Sequence, residues 1–445
     1  MHQTIQKYMP EFKKHVLEIP DFRKTPKYCM SDIIFTAVSM FFFKTESRNA
    51  FNEERKETNF CSSFAKVFGF KAPHMDTVDG VLKNVNPELL ELICQSLVKG
   101  LIEKRVFHSF RLLSKYFTIA IDGTGCMTFD QKTEGTTKRE YKSGKVIFHR
   151  SNIQAKFVFK NGFSIPFMTE WMETLDGSTK QDCELNCFKR MSAKIKKIFP
   201  KLEICLILDG LYANETVLRI CKMYNWQFAI TLRNQSLKTL WREIYDSVLN
   251  IIYPISQLIP ADEDDGACLS DDYHVYNHKT NRKETIFRTL EWLNNLTYRE
   301  FDIHWLGCTE YTGEEDDIED LVRYAWITSF ALDRQNAVIV EESIRAGRAG
   351  VEDSFNTEKN RGYGMTHKYS RTSFQASRNY LSCMHIAETI NQLITVSRWF
   401  KENMFVSEKS TLKALWRRIL SALCSITTEK IAIIERILPK IYVFA

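Results

Sequence analysis

The sequence predicts an α/β protein: a mixed β-sheet with a β-containing insertion, flanked by N- and C-terminal helical regions. Three observations predict it. Two short apolar runs end in the same Asp-Gly step, Tyr116–Ile121 before Asp122-Gly123 and Ile204–Leu208 before Asp209-Gly210. Ser151–Lys160 and Phe163–Met172 read as strands joined by Asn161-Gly162, a strong hairpin signal. Helix-period patterns fill the chain before residue 115 and again after Val338.

The elements follow in order. Asp32 can cap a helix through Ile33–Phe43, and Asn86-Pro87-Glu88 can start another towards Lys104, with loop signals at Lys71-Ala72-Pro73 between them. After the first strand and the hairpin come a helix (Asp182–Ile198), a buried strand (Ile204–Leu208), a helix (Glu215–Tyr224) and a strand (Gln227–Leu232). That order gives a mixed sheet with an antiparallel edge. Residues 236–329 break the rhythm with acidic loops at Asp262–Asp265 with Asp271-Asp272 and at Glu314–Asp320. Strand-like stretches, Glu284–Leu290 and Phe301–Leu306, lie between them. The expected division is 1–115 helical and DNA-binding, 116–235 first part of the core, 236–329 insertion, 330–385 second part of the core, and 386–445 C-terminal helices.

The 44% apolar and 13% aromatic fractions supply a substantial core and exclude a disordered chain. The net charge of +6 is unevenly spread: +5 in residues 1–115, −6 in 116–352 and +7 in 353–445. Basic flanks around an acidic centre suit a protein that grips a polyanion and concentrates cations in the middle. Twelve cysteines contain no Cys-x-x-Cys pair and no zinc-ligand spacing, which points to a reducing compartment. The polar start and the short apolar run Ile33–Phe43 give neither a signal peptide nor a span of about 20 residues, so a soluble intracellular protein is expected.

Asp122 and Asp209 both follow apolar runs. In parallel strands such groups gather at the carboxyl edge of the sheet, where α/β folds bind ligands. If the two strands are neighbours, the carboxylates meet, and their repulsion favours a divalent cation between them. Each aspartate alone is equally well explained as the start of an Asp-Gly turn. The third acid lies in a helical stretch. Arg345, Arg348, Glu352 and Lys359, spaced 3, 4 and 7 apart, fall within an arc of roughly 60° at 3.6 residues per turn. One acid therefore shares a stripe with three cations, which can set the acid on metal and the cations on phosphates; a solvated salt-bridged face is the plainer reading. Gly347 and Gly350 are expected to leave room beside the stripe for a DNA backbone. Glu358 competes with Glu352, but lies roughly 240° further round the helix, off the stripe.

With these residues, the chain resembles the DDE transposases of the insertion-sequence-four type, whose mark is a Tyr-Arg-Glu-Lys signature. Arg348, Glu352 and Lys359 match its last three members in spacing; Arg345 stands where the family has tyrosine. Asp122-Gly and Asp209-Gly look like the family's two aspartates, and Gly362-Tyr363 with His367-Lys-Tyr369-Ser-Arg371 looks like the segment after the glutamate. The resemblance implies a ribonuclease-H-like core with residues 236–329 as its insertion. It implies Asp122, Asp209 and Glu352 as catalytic residues and ligands of two Mg²⁺ ions, for which Mn²⁺ can substitute. Arg345, Arg348, Lys359, Tyr363, His367 and Arg371 would contact DNA. The reaction implied is cleavage at element ends and joining of 3′ hydroxyls to target DNA by two-metal phosphoryl transfer, without a side-chain nucleophile. Double-stranded DNA, a homodimer on DNA, no membrane, and a cytoplasmic, nucleoid-associated location complete the expectation. Trp292 and Trp305 could stack on an unpaired base, although tryptophan is more often core. His149 and His367 could assist, although lone histidines more often serve structure. Two other classes compete: a transposase-derived DNA-binding protein that no longer cuts, and a sugar-kinase or actin-like phosphotransferase suggested by Asp122-Gly-Thr-Gly. The latter lacks a second glycine-rich phosphate loop, since Asp209-Gly210-Leu211-Tyr212 is a poor one.

Overall fold

Helices α1 (Glu11–Leu17), α2 (Met30–Phe42), α3 (Arg48–Lys56), α4 (Phe60–Phe68), α5 (Met75–Leu82) and α6 (Pro87–Glu103) come first. Strands β1 (Phe117–Phe129), β2 (Thr137–Glu140), β3 (Val146–Val158) and β4 (Ser164–Trp171) follow, then α7 (Glu184–Ile198), β5 (Ile204–Leu208), α8 (Glu215–Tyr224) and β6 (Gln227–Thr231). Helix α9 (Lys238–Ile252) leads to the meander β7 (Cys268–Asn277), β8 (Arg282–Tyr298), β9 (Phe301–Glu314) and β10 (Asp317–Thr328). Helices α10 (Ala337–Asn360), α11 (Phe374–Val396) and α12 (Leu412–Ser425) are the last described elements. The computed structural model describes residues 11–173, 183–234, 236–252, 268–277, 282–314, 317–396, 400 and 411–425.

The strands form one mixed sheet in the order β2-β3-β1-β5-β6-β10-β9-β8-β7, with β4 also paired to β3. β1, β5 and β6 are parallel, and β3 runs antiparallel to β1 and to β4. The expected turn at Asn161-Gly162 lies between β3 and β4, where Gly162 takes a φ of +89° that its missing Cβ permits. The expected insertion is continuous with the sheet, because Trp326–Thr328 of β10 pair with β6. The acidic step Asp271-Asp272, expected in a loop, lies in β7 instead; Asp262–Asp265 fall outside the described residues.

Alternate residues divide the sheet between two cores, as the two-residue period of a strand requires. Ile119, Ile121, Leu206 and Leu208 join the larger core, with α7 and the N-terminal helices. Ala120, Val158, Cys205, Ile207 and Ala229 face α10 through Val340, Ile344 and Val351. All 13 residues of α2 are buried, and α2 packs on α11. Within the expected N-terminal helical, DNA-binding region, α2 is therefore a core helix that presents no face to a groove. The boundary expected at residues 385 and 386 also falls inside one continuous helix, α11. Asp32 is the third residue of α2 rather than its cap; its carboxylate accepts from the Cys29 and Lys71 amides at 3.1 and 2.7 Å.

Gly347 faces the sheet rather than a DNA path, whereas Gly350 is half-buried and only touches the sheet. A Cβ at Gly347 would stand 2.5 Å from Ile207 Cδ1 and 3.2 Å from Val158 Cγ2, and one at Gly350 3.9 Å from Val158 Cγ1. The glycine at 347 lets α10 lie flat on β3 and β5. Gly347→Ala is therefore expected to destabilise the fold: contacts at 2.5 to 3.3 Å place the overpacking cost towards the upper part of about 1–3 kcal/mol, which exceeds the ~1 kcal/mol gained in helix propensity. Urea denaturation would measure it, and a more stable variant would contradict this packing.

Candidate active site

β5 ends at Leu208 while β1 runs on to Phe129. The last β1–β5 pair is Ile121 with Leu208, so Asp122 and Asp209 follow side by side on neighbouring parallel strands, where backbones lie about 4.8 Å apart. The two aspartates differ in one respect from expectation. Asp209 does end its strand and precedes a short 3₁₀ turn, Gly210–Tyr212. Asp122 lies within β1, paired opposite Gln154 of β3, so it starts no turn. Past Ile121, β1 has lost its β5 neighbour, which leaves a notch where side chains from both faces of the sheet can meet.

Helix α10 crosses one face of that notch. The Arg348 guanidinium donates from Nη2 to Asp122 Oδ2 at 3.1 Å and to Glu352 Oε1 at 3.2 Å. One nitrogen thus bridges acids 230 positions apart in the chain and holds them within two hydrogen-bond lengths. Glu352 is otherwise open to solvent, 67% exposed, whereas Asp122 and Asp209 are mostly covered. Arg233, just after β6, donates to Asp209 Oδ2. Gly210 makes space for it, because a Cβ there would meet Arg233 Cγ at 2.6 Å. Two arginines thus offset part of the charge of the three acids.

A fourth carboxylate, Glu184, enters the same notch from α7. Its Cδ would lie 2.6 Å from a Cβ built on Gly123. Burial, and then Asp122 and Asp209, push its carboxyl above the usual range. Sequence reading missed Glu184 and Arg233. Neither shares a spacing or motif with the triad, and only the register of β1 on β5 and the seating of α7 bring them in.

The cationic stripe on α10 is only partly a surface. Arg348 is spent on the acids and Lys359 is half-buried further along the helix. Arg345 turns away from the notch: it pairs with Glu310 of β9 and with Glu341 at 3.2 Å, and stacks over Tyr324. Its expected contact with DNA is corrected, because its charge is consumed in an internal network. Arg288 of β8 completes that network, donating to Glu341 at 2.8 Å and to Asp271 at 2.7 Å.

Tyr363 is also corrected: it is fully buried, its hydroxyl accepts from Asn391 Nδ2 at 3.0 Å, and Lys44 Nζ lies over its ring. His367 and Arg371 are exposed and line a cleft of about 460 Å³ with Arg48, Lys83 and Lys368. Burial, then Arg371 and Arg48, hold the His367 imidazole below its usual range. His149 sits on β3 with Nδ1 3.3 Å from Thr128 Oγ1. Trp292 and Trp305 are both buried core residues.

Among the described residues, one group of His, Cys, Asp or Glu brings three ligand atoms within 4.8 Å of one another: Cys308, Glu310 and Glu341. Its carboxylates are engaged by Arg345 and Arg288, so the group reads as part of the salt-bridge network. No helix among the described residues is long and apolar enough to cross a membrane. No protein-family model matches the chain, and no curated protein matches it significantly.

Proposed function

We propose that this protein is a DNA transposase of the DDE type, with Asp122, Asp209 and Glu352 as its metal-binding acids. The observation that carries the reading is the Arg348 bridge, which gathers Glu352 from α10 onto Asp122 beside Asp209. The order β4-β3-β1-β5-β6, with β3 alone antiparallel to its neighbours β1 and β4 and β1, β5 and β6 parallel, supports a ribonuclease-H-like core. Carboxylate oxygens are the hard ligands that Mg²⁺ or Mn²⁺ prefers, and these acids would have to draw closer than they stand, since no three of their oxygens lie within 4.8 Å of one another. When bound, two such ions would supply an activated water or 3′ hydroxyl and charge neutralisation at the scissile phosphate.

The chain's own residues have separate tasks. The three acids hold the centre. Arg348 and Arg233 offset part of their charge and, with cations present, are free to turn towards phosphate oxygens. Lys359 flanks the helix face that bears Glu352, and His367 with Arg371 offers a second, more distant hold on the DNA backbone. Double-stranded DNA is thus the proposed substrate, held by a homodimer that brings two element ends together, in the cytoplasm at the nucleoid.

The test uses the purified chain, Mg²⁺ and DNA fragments spanning the flanks of its own gene. Cuts that leave 3′ hydroxyls at matched positions on the two flanks, and that stop with EDTA, are expected. Binding without cutting in Mg²⁺ or Mn²⁺ would replace this reading with a transposase-derived DNA-binding protein.

A further inference from the structure

Four observations converge on Glu184. It is the first residue of α7, where the helix's positive end favours an acid, yet its carboxyl is not turned out to solvent. It lies against the backbone of Gly123, at a place that only a glycine leaves open, since a Cβ there would stand 2.6 Å from both Cδ and Oε1. It stands beside two carboxylates that already repel each other, and no hydrogen bond or ion pair among the described residues compensates it. Close by, the Tyr212 hydroxyl is buried without any hydrogen-bond partner, on a side chain with no exposed surface. Burial, and then the charges of Glu184 and Asp122, raise that phenol above its usual range. A buried phenol normally finds a partner, and a half-buried acid set beside like charges is favoured by a cation. In this notch both lack one.

We propose that Glu184 is a fourth carboxylate of the metal centre, binding a divalent cation together with Asp122 and Asp209 while the Tyr212 hydroxyl donates to the bound water or to the second Glu184 oxygen. Glu184 reaches the notch from the α7 face and Glu352 from the α10 face, so a cation there would meet acids from both sides of the sheet, with the Glu352 side open to solvent. The inference rests on the transposase reading for the identity of the centre, but it concerns a different residue. The cluster of acids accounts for the repulsion; the unpartnered Tyr212 hydroxyl is a donor beside it.

The test is Mn²⁺ binding by the full-length protein, read from the electron-paramagnetic-resonance signal of free Mn²⁺, with thermal melts in the presence and absence of the ion. The variants are Asp122→Asn, Glu184→Gln and Glu184→Asp. Wild type is expected to bind Mn²⁺ and Asp122→Asn to lose most of it. Glu184→Gln is expected to bind at least about tenfold more weakly, in the range seen when partners around a metal site are removed, with Glu184→Asp between it and wild type. Metal-free Glu184→Gln should also melt at a higher temperature than wild type, because it removes a half-buried charge repelled by Asp122 and Asp209. A merely structural glutamate would do the reverse. If Glu184→Gln binds Mn²⁺ as wild type does, or melts lower without metal, the proposal is overturned while the Asp122 centre stands. If wild type binds no Mn²⁺, the transposase reading fails and this proposal with it.

Discussion

Glu352→Gln is expected to reduce end cleavage by about 10³-fold, the scale on which removing a single charge-stabilising group acts in phosphoryl or acyl transfer, while DNA binding persists. The two effects separate because of where Glu352 sits. It is 67% exposed and its one hydrogen bond is to Arg348, at 3.2 Å. An exposed pair of that kind contributes about 0–1 kcal/mol, so the amide should leave folding intact. It has the same shape as the acid but carries no charge, and so binds a divalent cation far more weakly. Removing a negative charge beside a phosphate path should leave affinity for DNA equal or slightly higher. Gel-shift and cleavage measurements on the same preparation read both effects. Unchanged cleavage in Glu352→Gln would remove this residue from the centre.

What could be read from the sequence was what short-range pattern determines. The apolar runs before Asp122 and Asp209 locate two strands, and the spacing of Arg348 and Glu352 puts both on one helix face, where they are found hydrogen-bonded. Whether the aspartates meet depends on β1 and β5 being neighbours, a tertiary fact no local pattern carries; the register of Ile121 on Leu208 supplies it. The readings that failed did so for the same reason. Arg345 looked like a surface cation because its partners, Glu310 and Arg288's companion Glu341, come from β9 and the preceding turn of α10. Gly347 looked like clearance for DNA until the sheet was found beneath it. Tyr363 looked accessible because nothing local reveals that Asn391 and Lys44 cover it. Glu184 was invisible, since its place is set by a glycine 61 positions away on another element.

Glu358, the acid that competes with Glu352 six residues along, yields the largest expected effect on stability. Its carboxylate is wholly buried, paired with Lys156 of β3, and within 3.7 Å of His385 Nε2. Lys156 also donates to Ser354 Oγ at 2.6 Å, and Ser354 to Glu388 at 2.7 Å. Burial alone would raise the Glu358 carboxyl, but Lys156 and His385 outweigh it and hold it below the usual range. Lys156→Met fills the same space and removes the compensating charge. It is expected to cost about 3–5 kcal/mol, the penalty for leaving one member of a buried pair alone. Because the lowered Glu358 carboxyl adds stability above its unfolded value and loses it as pH falls, wild type should lose this contribution on acidification. In Lys156→Met the lone acid should instead take up a proton, so the deficit against wild type should shrink as pH falls from 7 to 5. The double variant Lys156→Met with Glu358→Gln leaves no buried charge at either position and should recover much of the loss. Urea denaturation of the three variants at the two pH values measures all of this. A deficit that is independent of pH, or a double variant less stable than Lys156→Met, would mean that the pair acts through packing rather than charge.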